Sequence, residues 1–465
     1  MTTITSLVEV ARRDLPDLGD RITGPGENGY DEARAVHNGM IDRRPAVIIR
    51  CSTPQEVARA IALAREHDAP IAVRGGGHNG AGLGVIDDGI VIDLAPMNQV
   101  VVDADAGTVR VGGGCTWGDV DPVTANHGCV VPSGIISTTG VGGLTLGGGL
   151  GHLSRGFGLT IDNLIGADVV LADGSPVHTS ADENPDLFWA LRGGGGNFGV
   201  VTTFEFRTQP LPATVMAGPT FWPIEQLPEV MRFYREFIPN APRSVSGFAA
   251  AMTVPPVDLF PPELHLRKVA AIMWCIVGSE AEATEWLAPV HDVGTPLLHG
   301  VGAMPHPVLQ TLFDGLYTKG LQCYWRADFV NELSDELIER HLEWSQKLPS
   351  MHSTMHLYPI DGAVHDVAPD DTAFSYRDAQ FAEVIFAVDP DPANAGILRD
   401  WCVGYWDATH PYSAGGAYVN FMMDEGQERV RATYRGNYDR LARVKARYDP
   451  DNAFRVNQNV RPERA

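Results

Sequence analysis

Residues 46–51, AVIIRC, are an apolar run broken only at Arg50 and predict a buried strand. Helical spacing follows: Pro54 suits a first turn after Ser52 or Thr53, and Val57, Ile61 and Ala64 share a face. The segment 69–77, APIAVRGGG, reads as a second strand that runs into glycines, and 89–94, GIVIDL, as a third. The stretch 99–114, QVVVDADAGTVRVGGG, alternates on both sides of a turn and predicts a hairpin. A short helix is expected over 116–128, TWGDVDPVTANHG. A second hairpin is expected over 164–180 with Asp173-Gly174 at its turn. NPDLFWALRG, 184–193, predicts a helix with Asn184 as its N-cap, and 199–212 a strand that ends in prolines.

Beyond Pro210 the glycine-rich segments stop. Strands such as FAAAMTV and KVAAIMWCIV then alternate with helices such as SEAEATEWLAPVH, which predicts a second, α+β region. The last fifty or so residues predict one amphipathic helix, with Val430, Tyr434, Tyr438 and Leu441 on one face, closed by an Asp-Pro-Asp-Asn turn. The division read from these changes is 1–212, 213–410 and 411–465.

Composition narrows the class. With 44% apolar residues and a mean hydropathy of −0.08, the 465-residue chain reads as soluble and globular. No apolar run nears the ~18 residues of a membrane span. Charges interrupt the N-terminal segment, so no signal peptide is expected, and the expected location is the cytoplasm. The net charge of −23 argues against nucleic acid as a partner and fits an enzyme acting on a small molecule. Six cysteines, at 51, 115, 129, 275, 323 and 402, include no CxxC and no zinc spacing, so reduced thiols and no metal site are expected. Nothing in the sequence sets an oligomeric state.

Gly75, Gly77 and Gly80 spell G-x-G-x-x-G around His78. A Rossmann site needs that motif to open a helix, and the residues after it turn into a strand instead. Repeated backbone N–H groups bind anions without a helix. Two more glycine clusters, GVGGLTLGGGLG at 140–151 and RGGGGNFG at 192–199, suit a large flat dinucleotide lying along the backbone; the alternative is a set of tight turns.

The three glycine segments, with GIISTTGVGG before the second, resemble the FAD-binding domain of the vanillyl-alcohol oxidase and p-cresol methylhydroxylase superfamily. The carboxyl end, from AYVNFMMDEG to RVNQNVRP, resembles its berberine bridge enzyme branch. The resemblance implies an α+β fold: a two-lobed FAD-binding domain plus a substrate domain whose antiparallel sheet is covered by helices. It implies an FAD-dependent oxidase that transfers a hydride from a small-molecule substrate and is reoxidised by O₂. A dehydrogenase or an oxidative cyclase is the alternative within enzymes, and a flavin-storing protein the alternative outside them.

His78 stands where the family links the flavin 8α-methyl carbon to histidine, and Ile136 stands at the family's second, cysteine attachment point, so a single link through His78 is expected. The resemblance extends the flavin site to Arg74, Gly75, Gly76, Gly77, Asn79, Gly80 and Gly84 around that histidine. It adds Thr138, Thr139, Gly140, Gly142, Gly143, Gly147, Gly149 and Leu150 from the second cluster, and Gly199, Val200, Asn457 and Asn459 from the rest. Thr139 stands where a small side chain goes with oxidases. A hydride-transferring oxidase needs a base near the substrate. Glu383 shares a strand face with Phe381 and Ile385 and is expected to face the flavin as base or ligand, or else to face solvent. Tyr418, beside Asn420, is the other candidate base, with Arg326 as the cation to activate it and Tyr324 in the same wall; core packing is the alternative for the two tyrosines. His152, Tyr376 and Leu150 depart from common family residues, and Leu150 replaces a plant catalytic tyrosine.

Overall fold

The computed structural model describes residues 6–464. Short runs of β-branched residues make its first strands, as such residues fit a pleated, half-buried surface. β1 (Ile22–Thr23), β2 (Val47–Arg50), β3 (Ile71–Arg74) and β4 (Ile90–Asp93) form a four-stranded sheet in the order β1-β2-β4-β3. β2, β4 and β3 run parallel, and the helix Pro54–Glu66 makes the crossover between β2 and β3. Thr53 caps that helix by accepting from the Glu56 N–H at 3.2 Å.

β5 (Val100–Asp103) and β6 (Thr108–Gly112) are the first predicted hairpin. After a two-residue strand, β7 (Cys129–Val130), come β8 (Leu164–Val170) and β9 (Pro176–Ser180), the second hairpin, then β10 (Val200–Arg207). They build a five-stranded antiparallel sheet ordered β5-β6-β10-β8-β9. β11 (Gln209–Pro210) pairs with β7.

The rest of the chain's strands form one antiparallel sheet. They are β12 (Val215–Pro223), β13 (Val245–Thr253), β14 (Lys268–Ile276), β15 (Leu298–His299), β16 (Gly302–Met304), β17 (Gln322–Val330), β18 (Thr354–Pro359) and β19 (Phe381–Asp389). The order is β15-β12-β14-β13-β18-β19-β17, with β16 also on β12. Helices Leu227–Asn240, Asp335–Ser345 and Ala395–Thr409 cover one face through Met231, Tyr234, Ile338 and Trp401. The other face turns toward the two smaller sheets and shares their core through Phe248, Trp325 and Tyr358. The architecture is α+β.

Two local expectations need correction. Asn184 precedes its helix with φ +48° and makes no side-chain cap; its amide donates instead to the His178 carbonyl at 2.7 Å. The C-terminal helix is two helices, Gln427–Tyr434 and Tyr438–Tyr448. Arg435 breaks it at φ +45°, while Asn437 donates to the Pro369 and Thr372 carbonyls at 2.7 and 3.1 Å. That loop contact, distant in sequence, outweighs helix propensity. All four residues of the predicted apolar face stay buried. All six cysteines are free, and no described helix is long and apolar enough to cross a membrane.

Candidate functional site

The G-x-G-x-x-G segment leaves β3 and reaches β4 without a helix, as expected. Its loop lies against the second glycine loop, backbone to backbone. A Cβ on Gly76 would sit 2.5 Å from the Gly140 nitrogen, and one on Gly140 2.3 Å from the Gly76 nitrogen. Only glycine permits this approach. The joined loops wall a large cavity whose far side is the open face of the eight-stranded sheet.

Arg74, Gly75, Gly76, Gly77, His78, Asn79 and Gly84 face this cavity from the first loop. Thr139, Gly140, Gly142, Gly143 and Leu150 face it from the second. Gly199 and Asn457 complete that group. The remaining cofactor candidates stand behind or beside it. Gly80 makes room for the Trp325 indole, whose Cζ2 would lie 2.0 Å from a Cβ there. Gly147 does the same for the Asn420 amide, 2.1 Å from a Cβ. Gly149 donates its N–H to the Tyr418 hydroxyl at 2.8 Å. The Thr138 hydroxyl lies 3.4 Å from His78 Nε2. Val200 is buried in the core of the first sheet, and its neighbour Val201 reaches the cavity instead. Asn459 lines a separate surface hollow that shares Asn457.

The His78 imidazole stacks on His37 with ring centroids 3.8 Å apart. Burial, helped by the neighbouring His37, lowers the His78 pKa to about 3, and burial lowers that of His37 to about 4. Both rings are therefore neutral at physiological pH, and a neutral imidazole keeps a nucleophilic lone pair.

On the opposite wall the strand phase is the reverse of the expectation. Val384 and Phe386 of β19 face the cavity. Phe381 and Ile385 pack under the helices, and Glu383 shares their side. Its carboxyl accepts from the Thr409 hydroxyl at 3.0 Å and lies 3.8 Å from His341. Glu383 therefore does not reach the cavity as base or ligand, nor does it face solvent, being only 2% exposed. An isolated nine-residue strand gives the alternation but not which side is which. Burial, then the facing Asp328, raises its pKa to about 8. Arg326 and Tyr324 occupy the same helix side of β17: Arg326 pairs with Glu425 at 2.9 Å and donates to the Tyr324 hydroxyl at 3.1 Å. Neither residue lines the cavity, so Arg326 does not supply a cation to Tyr418.

Tyr418 and Asn420 do line the cavity. The Tyr418 phenol oxygen accepts from the Gly149 N–H and from Asn420 Nδ2, each at 2.8 Å, with the Leu150 N–H at 3.3 Å. Burial raises its pKa, and these donors oppose the rise. Two short bonds occupy both lone pairs of the hydroxyl, so they favour the phenolate once the proton leaves.

Wall residues not found as site residues from sequence include Tyr317, His356, Tyr358, Val384, Phe386 and Phe421. The alternation in MHLYP, with His356 and Tyr358 two apart, was the available signal. Trp325 also lines the wall.

The cavity has features that an elongated cofactor with both donors and acceptors would satisfy. Arg74 holds Asp93 with one amino group, at 2.8 Å, while its other, Nη1, is buried without a partner. Asn457 Oδ1 is likewise buried and unpartnered. Gly143 and Gly196 present open space where a Cβ would stand. These features fit a dinucleotide with Arg74, Asn79 and the glycine amides around it and Asn457 at its side.

A glycine-walled cavity roofed by an antiparallel sheet, with a neutral histidine in its wall, defines the class as a flavin-dependent oxidoreductase. Family models agree: one described as "FAD binding domain" matches residues 45–180, and one described as "Berberine and berberine like" matches 417–461. The chain is 31% identical to the "Uncharacterized FAD-linked oxidoreductase YgaK" of Bacillus subtilis (strain 168), over 96% of this chain and 98% of the relative. It is 30% identical to the (R)-6-hydroxynicotine oxidase of Paenarthrobacter nicotinovorans, over 94% and 96%. A solved structure of the glucooligosaccharide oxidase from Acremonium strictum, titled for its 6-S-cysteinyl, 8α-N1-histidyl FAD, shares the fold. Its TM-score is 0.86 at 24% identity, covering 99% of this chain and 100% of that one. The protein belongs to the berberine bridge enzyme-like branch of the FAD-linked oxidoreductases.

Proposed function

We propose that the protein is an oxidase that holds FAD covalently through His78 alone. The observation that carries this reading is the cavity wall: His78 and Ile136 both face it, and no cysteine of the described residues does. A cysteinyl bond like the one named for the glucooligosaccharide oxidase therefore has no partner here. Bound FAD would supply the redox chemistry, as acceptor of a hydride from a C–H next to an alcohol or amine, with O₂ taking the electron pair and two protons to give H₂O₂.

The chain's own residues do the rest. Residues 1–212 and 411–465 hold the cofactor, and 213–410 supply the substrate wall. The Arg74 Nη1 group and the glycine amides supply donors, and Asn457 Oδ1 an acceptor. Tyr418 first gives up its own proton to solvent and, as the phenolate that the Gly149 and Leu150 N–H groups and Asn420 stabilise, takes the substrate proton. The aromatic sheet face excludes water. Acid precipitation followed by a flavin-fluorescence gel and peptide mass tests the linkage: flavin mass on the His78 peptide alone is expected, and free FAD in the supernatant removes the covalent claim. The small Thr139 side chain in the wall favours the oxidase over the second reading, a dehydrogenase or oxidative cyclase using another acceptor. A peroxide yield near one per turnover is the expected result, and a yield near zero selects that second reading.

A further inference from the structure

The substrate side of the cavity is distinguished by what it lacks. β17, β18 and β19 carry Arg326, Asp328 and Glu383, and all three lie on the helix side. The cavity side carries Trp325, His356, Tyr358, Val384 and Phe386. Among the described residues, no Asp, Glu or Lys lines any part of the cavity. Its one arginine, Arg74, sits on the first sheet and is paired with Asp93. His356 is neutral as well, since burial lowers its pKa to about 3. An anionic substrate bound under this sheet would meet no counter-charge.

What the wall offers is aromatic faces and a small polar pair. Phe386 stands between Trp325 and Tyr317, with centroids 4.7 and 5.2 Å away at 47° and 55°. Phe421 closes the other side, 5.8 Å from Tyr358. Tilted rings at these separations leave faces and edges for a further ring to pack against. His356 Nδ1 and the Tyr358 hydroxyl are 2.9 Å apart, and Phe248 packs against both rings at 4.7 and 4.8 Å. The Tyr358 hydroxyl makes no other hydrogen bond within the described residues. The pair is thus fixed in place with hydrogen-bonding capacity to spare. A sugar chain, with a hydroxyl on nearly every carbon, would leave most of its groups unmatched against this surface.

We propose that the substrate is an uncharged aromatic molecule, its ring packed among Tyr317, Trp325, Phe386 and Phe421 and its polar substituent held by the His356–Tyr358 pair. The proposal rests on the oxidase reading for the site's identity but not for its chemistry. Three probes of similar or graded size test it on the purified holoenzyme by calorimetry: 4-hydroxybenzyl alcohol, 4-hydroxybenzoate and maltotriose. The alcohol is expected to bind at least ~10-fold more tightly than the carboxylate, with no measurable binding of maltotriose. Tyr358→Phe, which keeps the ring, should weaken the alcohol by about 3- to 10-fold and leave toluene unchanged. Val384→Arg places a cation in the wall and should turn the preference toward 4-hydroxybenzoate. Equal or tighter binding of the carboxylate or of maltotriose to the unaltered protein overturns the proposal. The flavin absorbance of the same native sample keeps the two questions apart: flavin present with the wrong preference sinks the substrate class alone, and flavin absent from the native protein sinks the oxidase reading.

Discussion

The two faces of the strands β17 and β19 are built from the same eighteen residues and have opposite chemistry. Toward the cavity lie Trp325, Val384 and Phe386, uncharged and mostly aromatic. Toward the helices lie Arg326, Asp328 and Glu383, buried in a network with Glu425, Arg429, His410, His341 and Thr409. Asp328 bonds Arg429 and lies 2.9 Å from His410 Nδ1, and Arg326 lies over the Trp406 ring at 5.6 Å. Period-two alternation makes such a division possible, and burial makes it costly to mistake. The charged residues near a cavity need not be its catalysts: here they fasten the helix layer and the C-terminal segment to the sheet, while the face of these strands that lines the cavity carries no charged side chain.

Substitutions on the two sides should therefore separate cleanly. On the cavity side the largest effect is expected from His78→Ala, which should abolish protein-bound flavin fluorescence on a denaturing gel. Tyr418→Phe should slow flavin reduction, followed by stopped-flow absorbance, by on the order of 10²-fold or more. An unchanged reduction rate would take the proton-accepting role from Tyr418. On the helix side, Asp328→Asn takes from buried Arg429 its close carboxylate and leaves only Glu425 at 3.5 Å. It should cost about 3 kcal/mol of stability in a denaturant melt, against a smaller loss for surface ion pairs such as Arg243–Asp366.

The smallest effect at neutral pH, and the sharpest test of the division, is Glu383→Gln. Flavin reduction should stay at its wild-type rate; a hundredfold loss would return Glu383 to the catalytic group. Its signature is pH dependence. The folded protein holds the Glu383 proton up to about pH 8, whereas the unfolded chain releases it near the ordinary carboxylate value of 4.5. Between those values the native state binds more protons, so this group's contribution to stability is complete at low pH and is lost as pH rises through about 8. The Gln variant should lose that decline in urea midpoints measured from pH 5 to pH 9.

Much of the fold was readable because its signals are local. Both hairpins, the helix after Thr53 and the absence of a helix after Gly80 follow from alternation, turn residues and capping within a few positions. The resemblance carried by the glycine clusters led to a site that gathers Arg74, His78, Thr139, Leu150, Gly199 and Asn457 around one cavity. The misses share a cause. Glu383 was placed by strand alternation and Arg326 and Tyr324 by the resemblance, and neither gives the phase of a strand with large residues on both sides. Gly80 and Gly147 were assigned to the cofactor because glycine signals a close approach, and the approaching groups are Trp325 and Asn420. The break at Arg435 depends on Asn437 meeting carbonyls more than sixty residues away.

By itself, then, the sequence determined most of the elements, the family and the loops that wall the cavity, because glycine spacing and hydrophobic period act over a few residues. Which side of each strand faces the cavity was decided only when the helices Asp335–Ser345 and Ala395–Thr409 packed on the large sheet. That choice depends on where buried carboxyl groups find partners: Glu383 and Asp328 meet Thr409, His410 and Arg429 on the helix side, and the cavity side offers them none.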